Sequence, residues 1–154
     1  MPTQLGVEIG QQLAQKAREE NDVVFKTNKA GKKTISEKEA IILWASDAVR
    51  DEGAMIAFGL DMLGVTPVWN SRGIIKSLEL LPLDESRKHR RDVLFTSSGL
   101  FRDLYGSQLE LLDKSVLLGL AASRNTINKQ YPALTLMLVP ALKPIADLVD
   151  SLDL

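Results

Sequence analysis

The run Asp92-Val93-Leu94-Phe95-Thr96-Ser97-Ser98-Gly99-Leu100-Phe101-Arg102-Asp103-Leu104-Tyr105 joins a strand-like apolar stretch, a turn of small residues and an Arg-Asp pair. This pattern suits recognition of an anion. Backbone N–H groups of Ser97, Ser98 and Gly99, set between a strand and a helix, would point at a negative group with help from the helix dipole. Tight packing of a βα turn is the alternative use of the same three residues. Arg102 adds a planar guanidinium fork that grips a carboxylate with two hydrogen bonds, or else pairs internally with Asp103 or Asp47. Arg50 is expected on the first turn of a second helix, at the same end of the sheet. Asp47, Asp51 and Glu52 suit the positive end of that helix, with capping the favoured role of Asp47. Phe101 and Trp44 could meet a ligand, but aromatic residues at such positions more often fill the core. The candidate substrate-binding set is therefore Arg50, Ser97, Ser98, Gly99, Phe101 and Arg102, and no catalytic residue is identified.

Other chemistry finds little material. The single histidine, His89, lies within Arg87-Lys88-His89-Arg90-Arg91, where neighbouring cations disfavour its charged form and attract no metal. Asp51, Glu52 and Asp103 form no recognised ligand set for a hard cation, so no metal site is expected. Ala30-Gly31-Lys32-Lys33-Thr34 lacks the first glycine and the correctly placed hydroxyl of a phosphate-binding loop, so ATP hydrolysis is not expected of this chain. One basic run without interleaved aromatics on a chain of net charge −1 reads as a solvated loop rather than a nucleic-acid surface.

The elements that must position these residues follow from pattern. Thr3 can cap a helix whose buried stripe is Leu5, Ile9, Leu13 and Ala17 and which ends at Glu19-Glu20-Asn21. A lysine-rich connection is expected over about 21–39. Ala40 to Ala45 reads as a central parallel strand, and Ser46-Asp47 as the cap of one helix from about Ala48 to Leu63, stopped by Gly64. With Val65 to Trp69 this would make a right-handed βαβ crossover. Asn70-Ser71-Arg72-Gly73 then turns the chain into an alternating run from Ile74 to Leu81, an edge hairpin closed by Pro82. Val93 to Thr96 is a second buried strand. A helical segment occupies about 107–154, with a helix after Gly106, a short one after Ser123, a break at Tyr131-Pro132 and a final helix kinked or split by Pro140 and Pro144. The expected fold is one α/β domain over residues 1–154: an open, mainly parallel sheet of about four strands with an edge hairpin and helices on both faces. Ligands of such sheets sit beyond the carboxyl ends of the strands, so the Ser46-Asp47 and Ser97–Gly99 turns should lie side by side.

A chain of 154 residues with 45% apolar and 25% charged residues is long enough for one ordinary core. It has no cysteine, which excludes disulfides, thiolate zinc sites and iron–sulfur clusters. No charged-then-apolar leader opens it, and no uninterrupted apolar run reaches the ~18–20 residues that span a bilayer. A cytoplasmic protein without a membrane span is expected.

The stretch quoted first, preceded by Leu63-Gly64-Val65-Thr66-Pro67-Val68-Trp69-Asn70-Ser71-Arg72-Gly73 and by Glu79-Leu80-Leu81-Pro82-Leu83, resembles the large, tetrapyrrole-binding subunit of ATP-dependent cobaltochelatases and magnesium chelatases. The likeness runs from roughly Pro2 to Leu134, and the order and spacing of its pieces are more specific than any short motif. The chain departs from it at Arg87 to Arg91, where the family carries a Gly-Arg-Pro-Arg type sequence. Family subunits are several times longer, so the resemblance implies a fragment or single domain. It further implies a role in substrate binding or cavity architecture while Co²⁺, or alternatively Mg²⁺, is inserted into a corrinoid or porphyrin during cobalamin or (bacterio)chlorophyll biosynthesis. The implied partners are the tetrapyrrole, the remainder of the large subunit and AAA-type ATPase subunits, which hold ATP and Mg²⁺. The isolated chain is expected to be inactive. A non-catalytic module that binds a tetrapyrrole or another subunit is the alternative.

Overall fold

A computed structural model describes residues 1–28 and 38–151 and gives an α/β architecture. Helix α1 (Gln4–Asn28) begins as expected: the Thr3 hydroxyl accepts a hydrogen bond from the Gly6 N–H at 3.0 Å. It continues beyond Asn21, and no glycine or proline interrupts the sequence there. The Ala30–Thr34 motif falls outside the described residues. The buried face of α1 differs from the expected one. Gly6, Val7, Gly10, Ala14 and Arg18 point inward, whereas Leu5, Ile9 and Leu13 are exposed and Ala17 is half-buried.

The reason is the distance between helices. Helix α3 (Ala54–Met62) lies so close to α1 that a Cβ on Gly10 would stand 2.7 Å from both Ala57 Cβ and Phe58 N, and one on Gly6 would strike the Glu52 carbonyl. Small residues at four-residue intervals let the two backbones touch, and large ones are turned outward. Gly10→Ala tests this contact. Helix propensity alone would favour alanine by about 1 kcal/mol, but rigid backbone opposes it. A net loss of about 1–3 kcal/mol is expected in urea unfolding, and a gain would contradict the close crossing.

The single helix expected over 48–63 is two. Helix α2 (Ala45–Arg50) is followed by Asp51 and by left-handed Glu52 (φ 54°) and Gly53 (φ 80°) before α3 starts. The Asp51 carboxylate accepts from the N–H groups of Gly53 (2.8 Å) and Met55 (3.3 Å), so Asp51 caps α3. Asp47 lies inside the first turn of α2, which no side chain caps. Thr3 holds the break from outside, bonding the Glu52 carbonyl through its N–H at 3.0 Å and the Glu52 carboxylate through its hydroxyl at 2.6 Å.

Among the described residues four strands form, divided between two sheets. Strands β1 (Lys38–Leu43) and β4 (Asp92–Ser97) pair in parallel, from Lys38 opposite Asp92 to Leu43 opposite Ser97. Strands β2 (Val65–Trp69) and β3 (Ile75–Leu80) make the expected antiparallel hairpin, turned by Asn70, whose side-chain oxygen accepts from the N–H groups of Arg72 and Ile74. Strands β1 and β2 therefore do not share a sheet, and the expected βαβ crossover between them is not formed. Nor is β1 buried on both faces. Ile41 and Leu43 face the core beside Ile56 and Leu60, while Ile42 (61% exposed) and Leu94 of β4 (67%) lie on an open apolar face. Both sets of positions are apolar, which is why β1 reads as a continuous buried run.

From Gly99 to Ser151 the chain is mainly helical: α4 (Gly99–Leu104), α5 (Gly106–Ala122), α6 (Arg124–Gln130), a 3-10 turn at Pro132–Leu134, α7 (Thr135–Leu142), a second 3-10 turn at Lys143–Ile145 and α8 (Ala146–Ser151). The break at Tyr131-Pro132 and the split near Pro140 and Pro144 match expectation. Leu142, Ile145 and Val149 pack against Ala121, Leu117 and Leu120. By length and composition Pro132–Asp150 could cross a membrane, although Lys143, Asp147 and Asp150 interrupt its apolar run. Here it is folded back on α5 as short helices.

Candidate functional site

The parallel pairing of β1 and β4 brings their carboxyl ends, and the helices that follow them, to one edge. The Ser98 N–H donates to the Leu43 carbonyl at 3.1 Å, tying the two loops together side by side as expected. Helices α2 and α4 pack beside each other there. Ser98 also caps α4, its hydroxyl accepting from the Phe101 N–H at 3.1 Å. That N–H and the N–H of Ser98 are thus already engaged, which leaves a smaller anion cradle than the three-residue turn implied.

The candidate residues separate by exposure. Phe101 is 0% exposed, in tilted contact with the Tyr105 ring at 5.3 Å between centroids and surrounded by core residues. It offers no face to a ligand in this fold. Arg102 is exposed; its Nη2 lies 4.0 Å from where a Gly99 Cβ would be, and its Nε donates to Asp103 at 3.1 Å. Both members of that pair are more than 60% exposed, so solvent screens it and it holds the guanidinium only weakly. Arg50 is exposed but ends α2 rather than opening it, because α2 begins three residues earlier than expected. Ser97 and Gly99 are exposed and Ser98 is half-buried. Around them Trp44, Leu100 and Leu104 present apolar surface. A cavity lined by Ile42, Trp44, Asp47 and Met55 measures about 60 Å³, far below the ~300 Å³ at which small-molecule pockets begin. The edge is an open platform with cations, not a closed pocket. Among the described residues, no three His, Asp or Glu side chains cluster as metal ligands.

The basic run has a use that its sequence does not announce. Arg87 and Arg91 are buried, and Asp61, also buried, accepts from Arg18 Nη1 and from Arg87 Nη2, the latter at 2.8 Å. Arg90 donates to the carbonyls of Leu63 (3.2 Å), Gly64 (2.6 Å) and Leu81 (3.0 Å), and Arg91 pairs with Glu39 at 2.8 Å. Burial lowers the Arg90 pKa below its ordinary value, and the Arg87 charge adds to the effect. Gly64, at φ 72°, leaves the room that the Arg90 guanidinium fills. The run is a clasp joining α1, α3, the hairpin and β1, not a solvated loop. It is approached through a tight turn at Asp84, whose carboxylate accepts from the Ser86 hydroxyl and the N–H groups of Arg87 and Ser86 and is held below the usual carboxylate range by those bonds. The signal missed was Asp61, an acidic residue within an otherwise apolar helix.

Larger cavities lie away from the loop edge. One of about 440 Å³ lies between β3, α5 and residues 143–148, and another of about 300 Å³ lies between the hairpin tip, the N-terminus and α5.

Fold and edge together define an α/β domain whose exposed loops stand beyond the ends of parallel strands. The CobN/Magnesium Chelatase family profile matches residues 1–136, and the chain belongs to that family. It is 33% identical over 98 residues to a magnesium-chelatase subunit of Rhodobacter capsulatus, covering 64% of this chain and 8% of that protein. It is 35% identical over 75 residues to the aerobic cobaltochelatase subunit CobN of Pseudomonas aeruginosa, covering 48% and 6%. The catalytic subunit of cobaltochelatase from Mycobacterium tuberculosis has a similar fold, with a TM-score of 0.62 at 23% identity over 86% of this chain and 12% of that one. The chain thus spans less than a tenth of the length of these two sequence relatives.

Proposed function

We propose that this chain supplies part of the substrate-facing surface of a chelatase large subunit that inserts Co²⁺, or alternatively Mg²⁺, into a tetrapyrrole. The observation that carries the reading is the parallel β1–β4 pair, which sets Arg102 and Gly99 beside the start of α2 on an exposed, partly apolar edge. A tetrapyrrole is a flat apolar ring bearing carboxylates. Trp44 and Leu100 suit the ring, and Arg102 and Arg50 suit the carboxylates, with Ser97–Gly99 lining the approach. Proton removal from the ring and delivery of the metal fall to other parts of the subunit. ATP is hydrolysed by separate AAA-type subunits in the cytoplasm.

Equilibrium titration with hydrogenobyrinic acid a,c-diamide and with protoporphyrin, followed by ligand absorbance, tests this. Saturable binding is expected. Arg102→Ala should weaken it by roughly 10- to 100-fold, the loss of about 1.5–3 kcal/mol from a charge-assisted hydrogen bond. Unchanged affinity in Arg102→Ala would remove the residue from the site. A second reading, a non-catalytic module that binds a tetrapyrrole or contacts another part of the complex, is favoured by the exposure of Ile42 and Leu94 on the open sheet face. It predicts that neither ligand binds unless a partner subunit covers that face.

A further inference from the structure

The cavity of about 440 Å³ brings together residues far apart in sequence. Its apolar lining comes from Leu78 of β3, Leu111 of α5, and Ile145 and Leu148 near the end of the chain. Three lysines stand on the same lining, one from each wall: Lys76, Lys114 and Lys143. Among the described residues none of the three has an ion-pair partner. Among the described residues Asp147 is the single carboxylate on the lining, against three lysines. One wall, residues 143–148, lies beyond the family-matched segment of 1–136, so that segment alone does not make this cleft.

We propose that this cleft binds a small amphiphilic carboxylate, with its apolar chain against Leu78, Leu111, Ile145 and Leu148 and its head among the three ammonium groups. The volume falls within the range of small-molecule sites, which pair apolar walls with a few convergent polar groups. The charge selects the head. Lysine ammonium groups are compact, mobile point charges rather than planar forks, and three of them on separate walls can converge on one compact anion. An uncharged or cationic head of equal tail length would gain no such attraction.

Isothermal titration of the whole chain with decanoate and with decyltrimethylammonium, both below their micelle concentrations, tests the assignment, alongside methyl NMR shifts of Leu78, Leu111 and Ile145. Decanoate should bind saturably and shift those methyl signals, and decyltrimethylammonium should not. The double variant Lys114→Glu/Lys143→Glu, with its fold checked by circular dichroism, should weaken decanoate at least about tenfold. Lys76→Glu serves the same purpose if the double variant does not fold. Equal binding of the two amphiphiles, absence of saturable decanoate binding, or unchanged affinity in the variants would overturn the proposal. Arg102→Ala should leave decanoate affinity unchanged, so this result and the tetrapyrrole titration stand or fall separately.

Discussion

Replacing Asp61 with asparagine should destabilise the domain by about 3–5 kcal/mol, the usual effect of removing one partner from a buried ion pair. Asp61 lies between Arg18 and Arg87, all three buried. Asparagine keeps the shape and one acceptor but leaves two guanidinium groups out of water with no counter-charge. Arg87 Nε already has no hydrogen-bond partner among the described residues, so little remains to offset the loss. The urea midpoint should fall with the slope unchanged. The companion variant Arg18→Met/Asp61→Leu/Arg87→Met removes every charge at once and should recover most of the loss, because well-packed apolar replacements of buried ion clusters are often neutral or stabilising. A loss under about 1 kcal/mol in Asp61→Asn would mean that water reaches the cluster.

Phe101→Ala should cost a similar ~3–5 kcal/mol, since its ring is fully enclosed and a large cavity would remain. The adjacent Arg102→Ala should change stability by no more than ~0.5 kcal/mol, as exposed substitutions without special contacts do. These two neighbours divide between them the roles that one short stretch of sequence suggested for both. Thermal unfolding of the pair of variants is the measurement. A well-folded Phe101→Ala protein with impaired tetrapyrrole binding would instead return Phe101 to the ligand surface.

What could be read before the structure was whatever a local signal encodes. The Thr3 cap, the Asn70–Gly73 hairpin turn, the short helix after Ser123 and the breaks at Pro132 and Pro144 each depend on residues within a few positions of one another. The candidate edge was legible for the same reason: a strand followed by Ser98 and Gly99 declares a βα turn. Where meaning came from contact with distant chain, the reading failed. Leu5, Ile9 and Leu13 outrank Gly6, Gly10 and Ala14 in hydrophobicity, but only the small residues permit backbone contact with α3. Arg87, Arg90 and Arg91 look solvated until Asp61, Glu39 and three carbonyls are found around them. Apolar Ile42 and Leu94 hid the difference between a central strand and one with an open face. The division of α2 from α3 turns on Glu52, a non-glycine residue in the left-handed region, which no propensity would have suggested.

The β1–β4 register also sets an order of events when the chain is made. The hairpin of β2 and β3 needs only a short turn, and hairpins close in about 1–10 μs. Strand β1 must wait for β4, roughly fifty residues later, and long-range pairing of this kind slows folding because the intervening loop must close first. At synthesis rates of about 5–20 residues per second, β1 emerges several seconds before its partner exists. During that interval Ile41, Ile42 and Leu43 have no β4 to pair with, and α2, α3 and the hairpin, each too short to be stable alone, lack the strand that fixes their platform. The edge that carries Arg102 is therefore completed late, when β4 arrives and its Ser98 N–H reaches the Leu43 carbonyl.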